Sequence, residues 1–195
     1  MEPYTILFFG RTGAGKGTQA HLLQDYFREQ KQEVLYIETG ARFRLFTEEP
    51  SYTAQYTKKI LEEGGLLPDF LPVALWGRVF MEEYRGDENI LLDGLARREN
   101  EAVLLDSALS YFQRKNMYVL YINISSEWAE TVLKTRGRAD DDSEDIKHKM
   151  EWFKQNTIPA INHFKNNNAY TFIEINGEQT IEQVHNDILK ALKII

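Results

Sequence analysis

Gly10, Gly15 and Lys16 stand in the spacing G-x-x-x-x-G-K, within the stretch Gly10-Arg-Thr-Gly-Ala-Gly-Lys-Gly-Thr18. Glycines so placed let a backbone curl until its N–H groups point inward at an anion. A lysine at the end adds a mobile positive charge for the outer phosphates of a nucleotide. The strict pattern puts Ser or Thr directly after the lysine. Here Gly17 intervenes and the hydroxyl falls on Thr18. Gly13, Ala14, Gly15, Lys16, Gly17 and Thr18 are therefore the candidate contacts to a phosphate chain.

Asp93 ends the apolar run Asn89-Ile-Leu-Leu-Asp93. An acid at a strand end is placed to order a magnesium ion through its waters, since Mg²⁺ keeps several of them. Arg44, Arg97, Arg136 and Arg138 are expected in loops or at helix ends. Planar guanidinium groups grip phosphate oxygens in pairs and neutralise charge on a moving phosphoryl group.

These residues need strands and helices to position them. Tyr4-Thr-Ile-Leu-Phe-Phe9 is β-prone and leads into the glycine loop, and a helical pattern with Leu22, Leu23, Tyr26 and Phe27 follows it. Strand, glycine turn and helix together are the setting of a phosphate-binding loop, whose helix adds its positive N-terminal end. Further strands are predicted over 33–38, 89–93, 117–122 and 170–175. Between them, helices are expected over 41–46, 51–63, from Pro68-Asp69 onward, over 99–112 with Val103, Leu104, Leu105 and Leu109 inward, and over 126–134 with Ser126 as cap. A long helix capped by Asp142 or Ser143 is expected to kink, or to give way to a new segment, at Pro159, and an amphipathic helix over 181–192 closes the chain. Alternating strands and helices imply an α/β sandwich of three layers, a parallel sheet covered on both faces. Ligands of such sheets sit at the carboxyl ends of the strands, where the glycine loop, Thr39-Gly40, Asp93-Gly94 and Gly177 all fall.

Composition bounds the rest. At 195 residues, with 43% hydrophobic and 27% charged, the chain reads as one globular domain. A net charge of −7 argues against a general nucleic-acid partner. With no cysteine, neither disulfides nor thiolate zinc sites are possible. The absence of a long apolar run or leader points to a cytoplasmic protein without a membrane partner. His21, His148, His163 and His185 lack metal-ligand spacing, and Trp76, Trp128 and Trp152 read as packing residues.

Taken in order, the glycine loop ending Lys16-Gly17-Thr18-Gln19, Thr39-Gly40 with Arg44, Leu92-Asp93-Gly94-x-x-Arg97, and Arg136-Gly-Arg138-Ala-Asp140-Asp141 resemble the adenylate kinases and related nucleoside monophosphate kinases. The resemblance spans nearly the whole chain. It implies a P-loop fold with a five-stranded parallel core (1–38, 68–135 and 143–195), a small monophosphate-binding arm at about 39–67 and a short lid at about 136–142. It implies transfer of the γ-phosphoryl of Mg-ATP to a monophosphate, AMP first, by a monomer. Lys16 would hold the donor phosphates. Thr39, Gly40, Arg44, Gly94 and Arg97 would hold the acceptor. Arg136, Arg138 and Lys149 would surround the transferred group, and the main chain from Gly177 to Gln179 would meet the donor base.

The chain departs from that pattern at several places. Thr12 and Ala96 stand for loop prolines, Val132 for an arginine that stacks on the donor base, and Lys149 for an arginine. Glu101 aligns with the glutamine that reads acceptor adenine. An ionised carboxylate offers only acceptors, which suits guanine better, so GMP or a deoxynucleotide stays open as acceptor. A kinase of a small alcohol is disfavoured by the pair Arg44 and Arg97. A non-catalytic nucleotide sensor is disfavoured by the full cationic set and by the lack of an Asn-Lys-x-Asp guanine motif.

Overall fold

Strand β1 (Tyr4–Phe9) runs through the middle of the sheet, and the alternation of its side chains creates the layers. Leu7 and Phe9 enter one apolar cluster and Ile6 and Phe8 the other. The computed structural model describes residues 2–63, 65, 67–136 and 143–195.

After the phosphate loop come α1 (Lys16–Glu29) and β2 (Val34–Glu38). Helices α2 (Thr39–Phe46), α3 (Tyr52–Glu62) and α4 (Phe70–Glu82) follow without an intervening strand. Then β3 (Asn89–Asp93), α5 (Glu99–Tyr111), β4 (Asn116–Asn123) and α6 (Ser126–Arg136) alternate. Helix α7 (Ser143–Trp152) passes through one wide turn, Phe153–Thr157, into α8 (Ile158–Lys165). Strand β5 (Tyr170–Asn176) and α9 (Ile181–Ala191) complete the chain.

All five strands are parallel, in the order β2-β3-β1-β4-β5. Helices α4, α5 and α8 cover one face through Trp76, Phe80, Leu105, Leu109, Ile161 and Phe164. Helices α1 and α9 cover the other through Leu23, Phe27, Ile188 and Leu189. The expected three-layer α/β sandwich is thus what forms. Among the described residues, no helix is long and apolar enough to cross a membrane.

Local signals explain most of the boundaries. Ser51 caps α3 by accepting from the Ala54 N–H, and Thr180 and Gln183 form a reciprocal capping box on α9. The kink expected at Pro159 is a π-turn just before it. Proline lacks an N–H and its ring crowds the carbonyl four residues back, so the helix widens by one residue there.

Three expectations change. The cap of α6 is Ser125, whose Oγ accepts from the Trp128 N–H at 3.1 Å, and not Ser126. Helix α2 begins at Thr39, two residues before the expected start at 41, so Thr39-Gly40 lie in its first turn. Val103 and Leu104 are 51% and 47% exposed. Helix α5 instead lays Ala102, Leu105 and Leu109 on the sheet. The small Ala102 lets the helix approach closely, and a helical turn then carries Val103 and Leu104 off that face.

Candidate active site

The phosphate loop is held by close backbone approach. A Cβ on Gly10 would lie 2.5 Å from the Ile122 carbonyl, so the loop crosses the end of β4 at a distance only glycine permits. Gly13 and Gly15 have φ of 90° and 79°, the left-handed region that lets the chain curl. Gly13 packs on the Ala129 backbone of α6. Lys16 reaches back over its own loop, and its Nζ donates to the Gly10 and Arg11 carbonyls at 2.9 and 3.0 Å. Thr18 is exposed.

Asp93 closes β3 beside this loop. It is buried, and the missing Cβ of Gly17 would lie 3.2 Å from its Oδ2. Tyr36 Oη donates to that same Oδ2 at 3.3 Å. Burial holds the Asp93 carboxyl above the usual carboxylate range, while the charges of Lys16 and Arg97 pull it down and Glu38 pushes it up. Burial and the neighbouring acids likewise push the Tyr36 phenol far above its usual value.

Next to Asp93, Glu38 ends β2 and pairs with Arg44 of α2 at 3.1 Å. Gly40 lies between them. A Cβ there would stand 3.3 Å from Glu38 Oε1 and 3.4 Å from Arg44 Nη1. The Thr39 hydroxyl is buried and has no hydrogen-bond partner among the described residues.

The segment after Asp93 is bent back on itself. Gly94 has φ of 74°, and a Cβ there would meet Arg97 Nη2 at 2.7 Å. Arg97 Nε donates to the Gly94 carbonyl at 3.0 Å, which folds the side chain back on the residue after Asp93. The Arg97 N–H donates to Glu101 Oε2 at 3.1 Å. Glu101 is 4% exposed, and burial raises its carboxyl above the usual range against the pull of the Arg97 amide and the Arg98 and Arg97 charges. The aligned acid thus has one oxygen committed to the loop that carries Arg97. Ala96 has φ of 52°, a value closed to the proline whose place it takes. Arg98 donates to the Leu67 carbonyl at 3.0 Å and to the Asp69 carboxylate, with its guanidinium 4.6 Å over the Trp152 ring.

On the other flank, a cleft of about 320 Å³ is lined by Arg11, Asn123, Ile124, Ser125, Asn176 and Glu178. Gly177 donates to the Asn123 carbonyl at 2.8 Å and packs on Ile122 and Ile124, which brings the end of β5 against the end of β4. The Gln179 side chain donates to the Asn176 carbonyl at 2.8 Å and to Asp187 at 3.0 Å.

Lys16, Asp93, Gly94 and Arg97 therefore share one rim, with Thr39, Gly40 and Arg44 beside them. Lys149 is half-buried in the last turn of α7, a helix whose Met150 packs on the cluster that holds Ala14. Arg136 ends α6. Its side chain, Arg138 and the rest of the expected lid at 137–142 lie outside the described residues. Sequence reasoning missed Tyr36, Glu38 and Arg98. Glu38 carried a usable signal, since it ends its strand as Asp93 does. Arg98 carried none, because its partners come from α7 and from the entrance to α4. Among the described residues, no three His, Cys, Asp or Glu side chains cluster as metal ligands.

The adenylate kinase family model matches residues 8–169. The chain is 33% identical over 190 residues to an adenylate kinase of Prochlorococcus marinus, covering 96% of this chain and 97% of that one. It is 31% identical over 189 residues to an adenylate kinase of a Synechococcus species, covering 97% and 98%. A phosphate loop, an acid at the end of β3 and an arginine folded back on the next residue, matched over this length, leave one assignment: the chain belongs to the adenylate kinase family of ATP-dependent nucleoside monophosphate kinases.

Proposed function

We propose that this chain transfers the γ-phosphoryl group of Mg-ATP to AMP, giving two ADP. The observation that carries the reading is that Gly17, next to Lys16 in the phosphate loop, lies against Asp93 Oδ2 while Arg97 folds back on Gly94, the residue after Asp93. A cation suited to donor phosphates and one suited to an acceptor phosphate meet at one acid. The acceptor phosphate oxygen then attacks the γ-phosphorus in line, and no protein nucleophile is needed.

In this reading the amides of Gly13 to Thr18 and the Lys16 ammonium bind the donor phosphates. Arg44 and Arg97 hold the acceptor phosphate, with Thr39, Gly40, Gly94 and Glu101 around the acceptor. Arg136, Arg138 and Lys149 neutralise the moving group. The main chain at Gly177 to Gln179 borders the donor base, and Val132 leaves that base without a stacking arginine.

The residues around Asp93 fit a magnesium ion. A hard carboxylate stands at the rim, and Gly17 contributes no side chain against it, which leaves room for metal-bound water. Bound there, a magnesium ion would supply charge neutralisation to the donor phosphates. Asp93 would hold its waters, and Tyr36 orients the Asp93 carboxylate through its hydroxyl.

The test is a coupled assay of ADP formation from ATP with AMP, GMP, CMP, UMP and a small alcohol such as glycerol. Turnover with AMP is expected, and Lys16→Met should lower kcat by about 10²–10³-fold. Turnover with no monophosphate would reject the reading.

A further inference from the structure

Glu38 and Arg44 form an ion pair at the strand-end rim. Arg44 extends from α2 with a mostly exposed side chain, yet it is drawn onto Glu38 Oε1 at 3.1 Å. The pair sits over Gly40, where a Cβ would crowd both partners, so the glycine makes room for the contact. Glu38 ends β2 in register with Asp93, and both acids raise the phenol of Tyr36 while Arg44 lowers it. The Arg44 guanidinium thus sits on one acid of a rim that also holds Asp93, Lys16 and Arg97. A carboxylate presents two oxygens to a guanidinium much as a phosphate does.

We infer that Glu38 is an internal stand-in for the acceptor phosphate. It holds Arg44 at the rim in the absence of a monophosphate and must release it when the phosphate arrives. This rests on the acceptor role given above to Arg44. Glu38 is thus a positioning residue that acts through Arg44, and its carboxylate competes with the acceptor for the same guanidinium. The pair is largely solvated, so the competition is modest.

The experiment is calorimetric titration of AMP into the full chain without ATP, for wild type, Glu38→Gln, Arg44→Met and the double variant. Glutamine keeps the size of the side chain at the end of an edge strand, and the melting temperature of each variant checks its fold. Glu38→Gln should tighten AMP binding about two- to fivefold, the range expected for losing one exposed ion pair. The same substitution should change nothing once Arg44 is methionine. Equal tightening in both backgrounds would overturn the inference, since Glu38 would then act by general repulsion of the phosphate. Weaker or unchanged binding in Glu38→Gln alone would overturn it too. Wild-type affinity in Arg44→Met would instead remove Arg44 from the acceptor site, and the inference with it.

Discussion

Glu38 and Asp93 stand side by side in register at the carboxyl ends of β2 and β3, two carboxylates on one rim. Their mutual repulsion adds to the burial that already raises the Asp93 carboxyl. The site therefore carries a charge that the fold would be better without, which is common where chemistry needs an acid in place.

The first prediction follows from that sign. A carboxyl raised on folding stabilises the fold only where it is protonated, below its unfolded value, and that contribution is lost as pH rises through its folded value. Asp93→Asn removes the buried charge. It should raise the melting temperature near pH 7, and the gain should shrink as pH falls into the acidic carboxyl range. The same variant should lose about 10–100-fold in kcat, as expected for a group that orders metal-bound water. Thermal unfolding at neutral and acidic pH, with the coupled assay, checks both halves.

Glu101 holds the Arg97 amide and aligns with a base-reading glutamine. Glutamine can accept the same amide bond and also offers a donor. Glu101→Gln should leave the fold intact and raise the kcat/KM ratio of AMP over GMP by about ten- to a hundredfold, the worth of one unpaired polar contact. An unchanged ratio would confine Glu101 to holding the loop.

Gly10 and Gly15 should fail differently. Alanine at Gly10 drives a methyl to 2.5 Å from the Ile122 carbonyl, and a backbone atom in a central strand pair cannot yield. A loss of about 1–3 kcal/mol or more in unfolding free energy is expected. Alanine at Gly15 meets nothing within 4 Å and bears only the strain of its φ of 79°, about 1 kcal/mol. Urea unfolding of the two variants measures the difference.

Restoring proline at Ala96 should destabilise this chain. Proline needs φ near −65°, while the loop holds φ of 52° at a fully buried position. A loss of about 3 kcal/mol is expected, with a rise in the AMP KM because Arg97 is the next residue. A melting temperature equal to wild type would show that the loop can take the other path.

Much of this protein was legible in the chain itself. The strands Tyr4–Phe9 and Asn89–Asp93 were read to the residue, because apolar runs ending at glycine or aspartate are local signals. The loop through Lys16 was legible for the same reason: its glycines, its lysine and its flanking strand and helix lie within a few residues of one another. The rotation of α5 was not. Whether Val103 or Ala102 faces the sheet depends on how closely the helix can approach, which the surface of the sheet determines. The partners of Glu38 and Arg98 were also hidden. Arg98 meets Asp69 and Trp152 across long stretches of chain, and the carboxylate of Glu38 stands beside Asp93 only because β2 pairs with β3. Local chemistry, spelled out over short distances, determined that a phosphate chain would be bound. Which acids and cations share that rim was decided by strand order, since only the folded sheet sets the distances through which charges act.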